Sequence, residues 1–228
     1  MTLTVYHLQN SRSQRVLWLL EELAVSYGVK RFERDPATLF APAELQAIHP
    51  LGKAPIIRDG AVTLAESGAI VEYLVATYGR GRLAPAPDSP DRWQYTYWLH
   101  YAEGSAMPPL LLRLIFSRLA GPQTPALVRP VARAIAKRVN AVLIEPQLTR
   151  HLTYMDAHLG DRPWFAGDEF TAADIQMSFP LEAARARGVL DQRYPRLVDF
   201  LEKIHARPAY QRALARGGEY AYAAATDI

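Results

Sequence analysis

The stretch "KAPIIRDGAVTLAESGAIVEYL", Lys53 to Leu74, changes its hydrophobic period in the middle, and that change decides the fold. Its first half holds two short apolar runs on either side of Asp59-Gly60. That dipeptide suits a tight two-residue loop, so the pattern predicts a pair of antiparallel strands. Its second half brings Ile70, Tyr73 and Leu74, with Thr77 beyond, onto one helical face, and Gly79 follows as a stop.

Toward the amino terminus, "LTVYHL" is rich in strand formers, and the polar "QNSRSQ" leads into a helical face of Val16, Leu19, Leu20 and Leu23, with Gly28 as its stop. "VKRFER", Val29 to Arg34, reads as a second strand, and "PAELQAI", from Pro42, as a short helix. The order β-α-β-α-β-β-α makes residues 1–80 an α/β domain around a mixed sheet. In "GRGRLAPAPDSP" the periodicity disappears into glycine and proline, which marks a linker over 81–90. Beyond it, Trp93, Tyr97 and Tyr101, then Leu148, Leu152, Met155 and Leu159, then Leu197, Leu201 and Ile204 recur at helical spacing. An all-α domain over 91–228 is expected.

Composition narrows the function. The 228 residues are half hydrophobic and 21% charged, as a folded chain should be. A net charge of +3 is too small to argue for nucleic acid. The densest basic run, "RPVARAIAKR", spaces Arg129, Arg133 and Lys137 as a solvated helix face. No cysteine is present, which removes disulfides, thiolate metal sites and a cysteine nucleophile. The opening residues lack a secretory pattern and no apolar run is long enough to span a bilayer, so a cytoplasmic chain with no membrane partner is expected.

Three places hold groups suited to a small ligand. Glu66 and Ser67 open a helix: either one caps it, or its spare N–H groups take a carboxylate while the acid takes an ammonium. Together those would grip an amino-acid head. Lys53 and Ala54 precede Pro55, where a cis bond would cost little and Ala54 could offer its N–H and C=O to an extended peptide. Asn10, Ser11 and Ser13 precede the first helix, with Ser13 read as its cap and the Ser11 hydroxyl as free to donate to an anionic sulfur. Arg12 reads as an exposed arginine able to assist electrostatically.

In this order, "SRSQRVLWLLEE", "HPLGKAP" and "LAESGAIVEYL", followed by "GDEFTAADI", resemble the cytosolic glutathione transferases over nearly the whole chain, above all bacterial and fungal members with a serine-type first loop. The resemblance implies a thioredoxin-like first domain with a mixed four-stranded sheet, a helical second domain, and no cofactor beyond glutathione as co-substrate. It places the γ-glutamyl head on Glu66 and Ser67, the cysteinyl unit on Ala54 before a cis Pro55, and the glycine carboxylate on Lys53. It treats Thr171 and Asp174 as a structural capping pair, and it implies no metal and a homodimer.

The activity it implies joins glutathione to a small hydrophobic electrophile or reduces a peroxide with it; the alternative is a non-catalytic docking module or ligand carrier. A thiol of pKa ~8.5 is only about 3% ionised near pH 7, and lowering it by ~2 units ionises about three quarters, a difference of about 2.7 kcal/mol. Ser11 is the expected donor for that shift, with Asn10 and Ser13 as alternates. The electrophile is expected between the domains, against Trp98, Tyr101, Ser105 and the run Leu110 to Phe116.

Overall fold

The computed structural model describes residues 3–35, 38, 40–160 and 162–223. Strand β1 (Leu3–Leu8) leads to helix α1 (Ser13–Leu23) and β2 (Tyr27–Phe32); β3 (Ile56–Asp59) and β4 (Val62–Ala65) follow, then α2 (Ser67–Tyr78). The sheet order is β2-β1-β3-β4, with β1 and β2 parallel and the other two pairs antiparallel. This is the mixed four-stranded sheet expected. Asp59 pairs with Val62, so the hairpin loop is Gly60 and Ala61, and Gly60 takes φ +58°, a left-handed value that glycine adopts without steric cost.

Three expected boundaries move. Helix α1 stops at Ala24 rather than Gly28: Ala24 is left-handed at φ 56°, and its N–H turns back to the carbonyls of Leu20 and Glu21. Gly28 instead lies inside β2, which begins two residues before the expected Val29 because buried Tyr27 pairs with Leu3. "PAELQAI" forms only one 3-10 turn, Ala43–Leu45, whose sole buried side chain is Leu45. Leu45 and the half-buried Ile48 give so short a segment too small an apolar face to offset helix nucleation.

The remaining chain is helical: α3 (Arg92–Tyr101), α4 (Met107–Leu119), α5 (Arg129–Val139), α6 (Glu145–His158), α7 (Ala172–Ala186), α8 (Pro195–His205) and α9 (Pro208–Gly217). Wider π turns at Ala102–Ala106 and Asn140–Ile144 join α3 to α4 and α5 to α6. Among the described residues no helix is long and apolar enough to cross a membrane. Arg129 and Arg133 of the basic run donate to the carbonyls of Thr124 and Ala120, tying down the α4–α5 connection.

Two helices organise the core. Val16 through Leu20 of α1 are fully buried, because α1 packs against β1 and α2 on one side and against α7 and α9 on the other. Helix α7 is buried from Ala172 to Ala184, and its start carries the expected capping box: Thr171 Oγ1 accepts the Ala173 N–H, and Asp174 Oδ2 accepts the Thr171 N–H at 2.8 Å. The sheet and the helical layers therefore share one hydrophobic cluster through α1.

Candidate active site

The start of α2 is uncapped. Glu66 holds φ 69° and ψ 120°, an uncommon backbone for a residue with a side chain, and makes no side-chain bond to the helix end. Ser67 is buried, Glu66 is exposed, and the first intrahelical bond runs from the Ile70 N–H to the Glu66 carbonyl. The N–H groups ahead of it keep their donor capacity and their positive dipole character for something outside the helix. The capping alternative raised by the sequence therefore finds no bond to support it.

This helix start opens into a cavity of about 530 Å³, whose walls include Lys53, Ala54, Pro55, Glu66 and Ser67. The Ala54–Pro55 bond is cis. Pro55 and Ile56 lead into β3, and Ala65 ends β4 directly opposite Ile56, so the hairpin register brings the two segments together although eleven positions separate Pro55 from Glu66. All five expected ligand-binding residues thus share one enclosure.

The first loop is arranged differently from expectation. Ser11 and Ser13 are 4% and 0% exposed, and neither belongs to the cavity wall. Arg12 holds the N-cap position without a side-chain cap bond, and Ser11, not Ser13, serves the helix end in its place: its Oγ accepts the Ser13 N–H at 3.2 Å, and it lies 2.7 Å from Ser13 Oγ. Ser13 lies within α1 and faces inward, accepting the Leu8 N–H at 3.1 Å and meeting His7 Nδ1 at 2.9 Å. Asn10, left-handed at φ 51°, accepts the Ala221 N–H through Oδ1 at 2.7 Å. The Ser11 hydroxyl expected to be free is thus engaged, because an α1 that starts at Ser13 needs an acceptor two residues upstream. Ser11→Ala is expected to lower the unfolding free energy by about 1 kcal/mol in a urea titration, the usual cost of a lost cap.

Arg12 occupies the place expected of Ser11. It lines the cavity, and its Nε reaches both carboxylate oxygens of Glu103 at 2.9 Å. The same carboxylate is held from behind by the buried Arg15, which also donates to the Gln176 carbonyl at 2.6 Å. Burial pushes the Glu103 carboxyl up, but Arg15 and Arg12 together outweigh it and keep the group ionised, below the usual carboxylate range. Glu103 projects from the π turn between α3 and α4, where the wider coil re-aims a side chain.

Leu8, Arg34, Phe40, Leu51 and Leu111 complete much of the wall. Of the expected electrophile contacts only Leu111, inside the run Leu110 to Phe116, lines the cavity. Trp98 and Tyr101 turn into the helical core, where the Trp98 ring lies 4.6 Å from that of Phe165. Arg12 was legible in the sequence as an exposed cation able to assist electrostatically, but its place on the wall was not. Glu103 carried no signal, since it stands ninety-one positions from Arg12.

Residues 1–76 match the family model described as Glutathione S-transferase, N-terminal domain, and residues 131–203 match Glutathione S-transferase, C-terminal domain. Glutathione S-transferase 3 of Schizosaccharomyces pombe is 35% identical over 207 residues, covering 91% of this chain and 84% of that protein. Glutathione S-transferase 1 of Saccharomyces cerevisiae is 30% identical over 228 residues, covering 95% and 97%. Among solved structures, a glutathione S-transferase from Actinobacillus pleuropneumoniae superposes with a TM-score of 0.80 at 29% identity, covering 99% of this chain and 96% of that one. With both domains matched, relatives aligned along almost their full length, and an open helix end facing a shared cavity, the chain belongs to the glutathione S-transferase family.

Proposed function

We propose that the cavity binds glutathione and that the enzyme transfers its thiolate to a small hydrophobic electrophile. The observation that carries this reading is the uncapped α2 start, whose Glu66 and Ser67 face the same enclosure as Lys53, Ala54 and Pro55. The γ-glutamyl carboxylate is assigned to the α2 N–H groups and Ser67, its ammonium to Glu66, and the glycine carboxylate to Lys53. The cysteinyl backbone pairs with Ala54, which directs the sulfur toward the start of α1. Ser11 enters as the cap that holds this helix end in shape, with Asn10 and Ser13 bracing it on either side. Leu8, Phe40, Leu51 and Leu111 give an otherwise polar wall an apolar part, suited to an organic electrophile or hydroperoxide. A homodimer working in the cytoplasm completes the reading, as in the family.

Titration calorimetry with glutathione tests the binding. Glu66→Ala is expected to weaken it about tenfold, the loss of one charge-assisted hydrogen bond, while leaving the ligand-free melting curve unchanged. Stability should hold because the exposed Glu66 side chain makes no cap bond. Equal losses of stability and affinity would return Glu66 to a capping role. A turnover screen over halogenated aromatics, epoxides, isothiocyanates and organic hydroperoxides separates catalysis from mere carriage: binding without turnover of any class would favour the docking module.

A further inference from the structure

The glutathione reading leaves open what stabilises the ionised sulfur, and the geometry points to Arg12 as the catalytic residue, with Glu103 as its positioning residue. The proposal rests on the cavity being the glutathione site. Of the described residues joining β1 to α1, only Arg12 reaches the cavity wall. The Ser11 hydroxyl lies off that wall and is engaged with Ser13. Arg12 is held from two sides. Its Nε is taken by Glu103, and its guanidinium carbon lies 5.1 Å from the centre of the Phe179 ring on α7. Its two terminal nitrogens have no hydrogen-bond partner among the described residues, so they remain available to a sulfur brought to the start of α1.

Charge supports the same assignment. Among the described residues, the wall carries three cations, Arg12, Arg34 and Lys53, against two carboxylates, Glu66 and Glu103. Arg15, buried behind Glu103, adds a further positive charge that cancels that carboxylate. Glutathione with an intact thiol has one net negative charge, and ionisation gives it a second. The S–H bond breaks with its electron pair left on sulfur and its proton passed to solvent. Glu103 does not take that proton, because its two arginines hold it ionised with a depressed affinity for one. An arginine at this point stays charged throughout and so biases the thiol toward the anion.

The test compares Arg12→Ala, Arg12→Lys and Ser11→Ala with the parent enzyme. The pKa of bound glutathione is read from ultraviolet thiolate absorbance, and S-methylglutathione, which has no ionisable thiol, serves as the binding control. One charge about 5 Å away through an effective dielectric of about 40 shifts a titration by roughly one unit. Arg12→Ala should therefore raise the bound thiol's pKa by about 1 unit, Arg12→Lys should recover most of the shift, and Ser11→Ala should leave it in place. Affinity for S-methylglutathione, measured on all four proteins, separates any loss of binding from the change in the thiol's titration.

A shift on Ser11→Ala with none on Arg12→Ala overturns the assignment. So does a shift on Arg12→Ala that Arg12→Lys fails to recover, since that would mark a packing role. Failure of the parent itself to bind glutathione or S-methylglutathione is a different result, and sinks the glutathione reading rather than the choice of residue.

Discussion

Asp174→Ala is expected to lower the unfolding free energy by about 3–5 kcal/mol, measured by urea denaturation at neutral pH. The Asp174 side chain is 0% exposed and serves two segments at once. Oδ1 accepts the Phe165 N–H at 2.9 Å, while Oδ2 accepts the Thr171 N–H at 2.8 Å and the Thr171 hydroxyl at 3.1 Å. Alanine would leave two backbone donors buried without an acceptor, each costing roughly 1–3 kcal/mol, and would open half of the capping box. The loss reaches the functional site indirectly, because α7 carries Phe179 and the Gln176 carbonyl that hold Arg12 and Arg15. Asp174→Asn keeps one carbonyl acceptor and should cost about half as much. A loss under about 1 kcal/mol for the alanine variant would mean that water reaches these donors and the site is less tightly closed than its burial indicates.

Acidification is expected to remove about 3 kcal/mol of stability through His7 alone. Burial, then the nearby Arg31 charge, push the His7 imidazole down to about 4 despite a hydrogen bond to the Gly217 backbone. The unfolded histidine titrates near 6.5, so between about pH 6.5 and 4 the unfolded chain binds the extra proton and the folded chain does not. Stability therefore falls as pH drops through that window, by about 2.5 units' worth of proton affinity, roughly 3 kcal/mol. Asp174 works in the opposite sense, because burial pushes its carboxyl up to about 6 against the donors from Phe165 and Thr171. A carboxyl raised in the folded state gains stability on protonation, from about pH 6 down to 4.

The measurement that isolates His7 is thus the difference between the parent and His7→Gln across a series of pH values. Glutamine retains an acceptor for Ser13 and a donor for Gly217, but does not titrate. The parent should lose stability relative to the variant steadily below pH ~6.5. A pH-independent difference would show that His7 is hydrated or that its proton is shared with Ser13. Because Ser13 braces the start of α1, acid unfolding of the parent should also release bound glutathione in the same pH range.

Much of the fold was readable because its signals are local. The hairpin follows from apolar runs flanking Asp59-Gly60, and α2 from the spacing of Ile70, Tyr73 and Leu74. The five glutathione contacts proposed here sit on short segments whose geometry depends on neighbouring residues: a proline that limits Ala54, and a helix end at Glu66-Ser67. Where the reading failed, a distant partner had intervened. β2 begins at Tyr27 because of Leu3, and "PAELQAI" stops at one 3-10 turn because Leu45 alone is fully buried, with Ile48 only partly packed against the same small cluster.

The first loop marks the division most sharply. From residue types alone, Asn10, Ser11, Arg12 and Ser13 all qualified as neighbours of a sulfur, and only packing could separate them. Ala221, at the far end of the chain, claims the Asn10 side chain; His7 and Leu8 draw Ser13 inward; Ser11 turns to cap α1. Glu103 and Phe179, contributed by the helical domain, then hold Arg12 at the cavity wall. Short-range periodicity and turn chemistry are carried by a few adjacent residues and so are written in the order of amino acids. The direction in which a loop side chain points depends on contacts made across about ninety to two hundred positions, and these exist only once the two domains share a core.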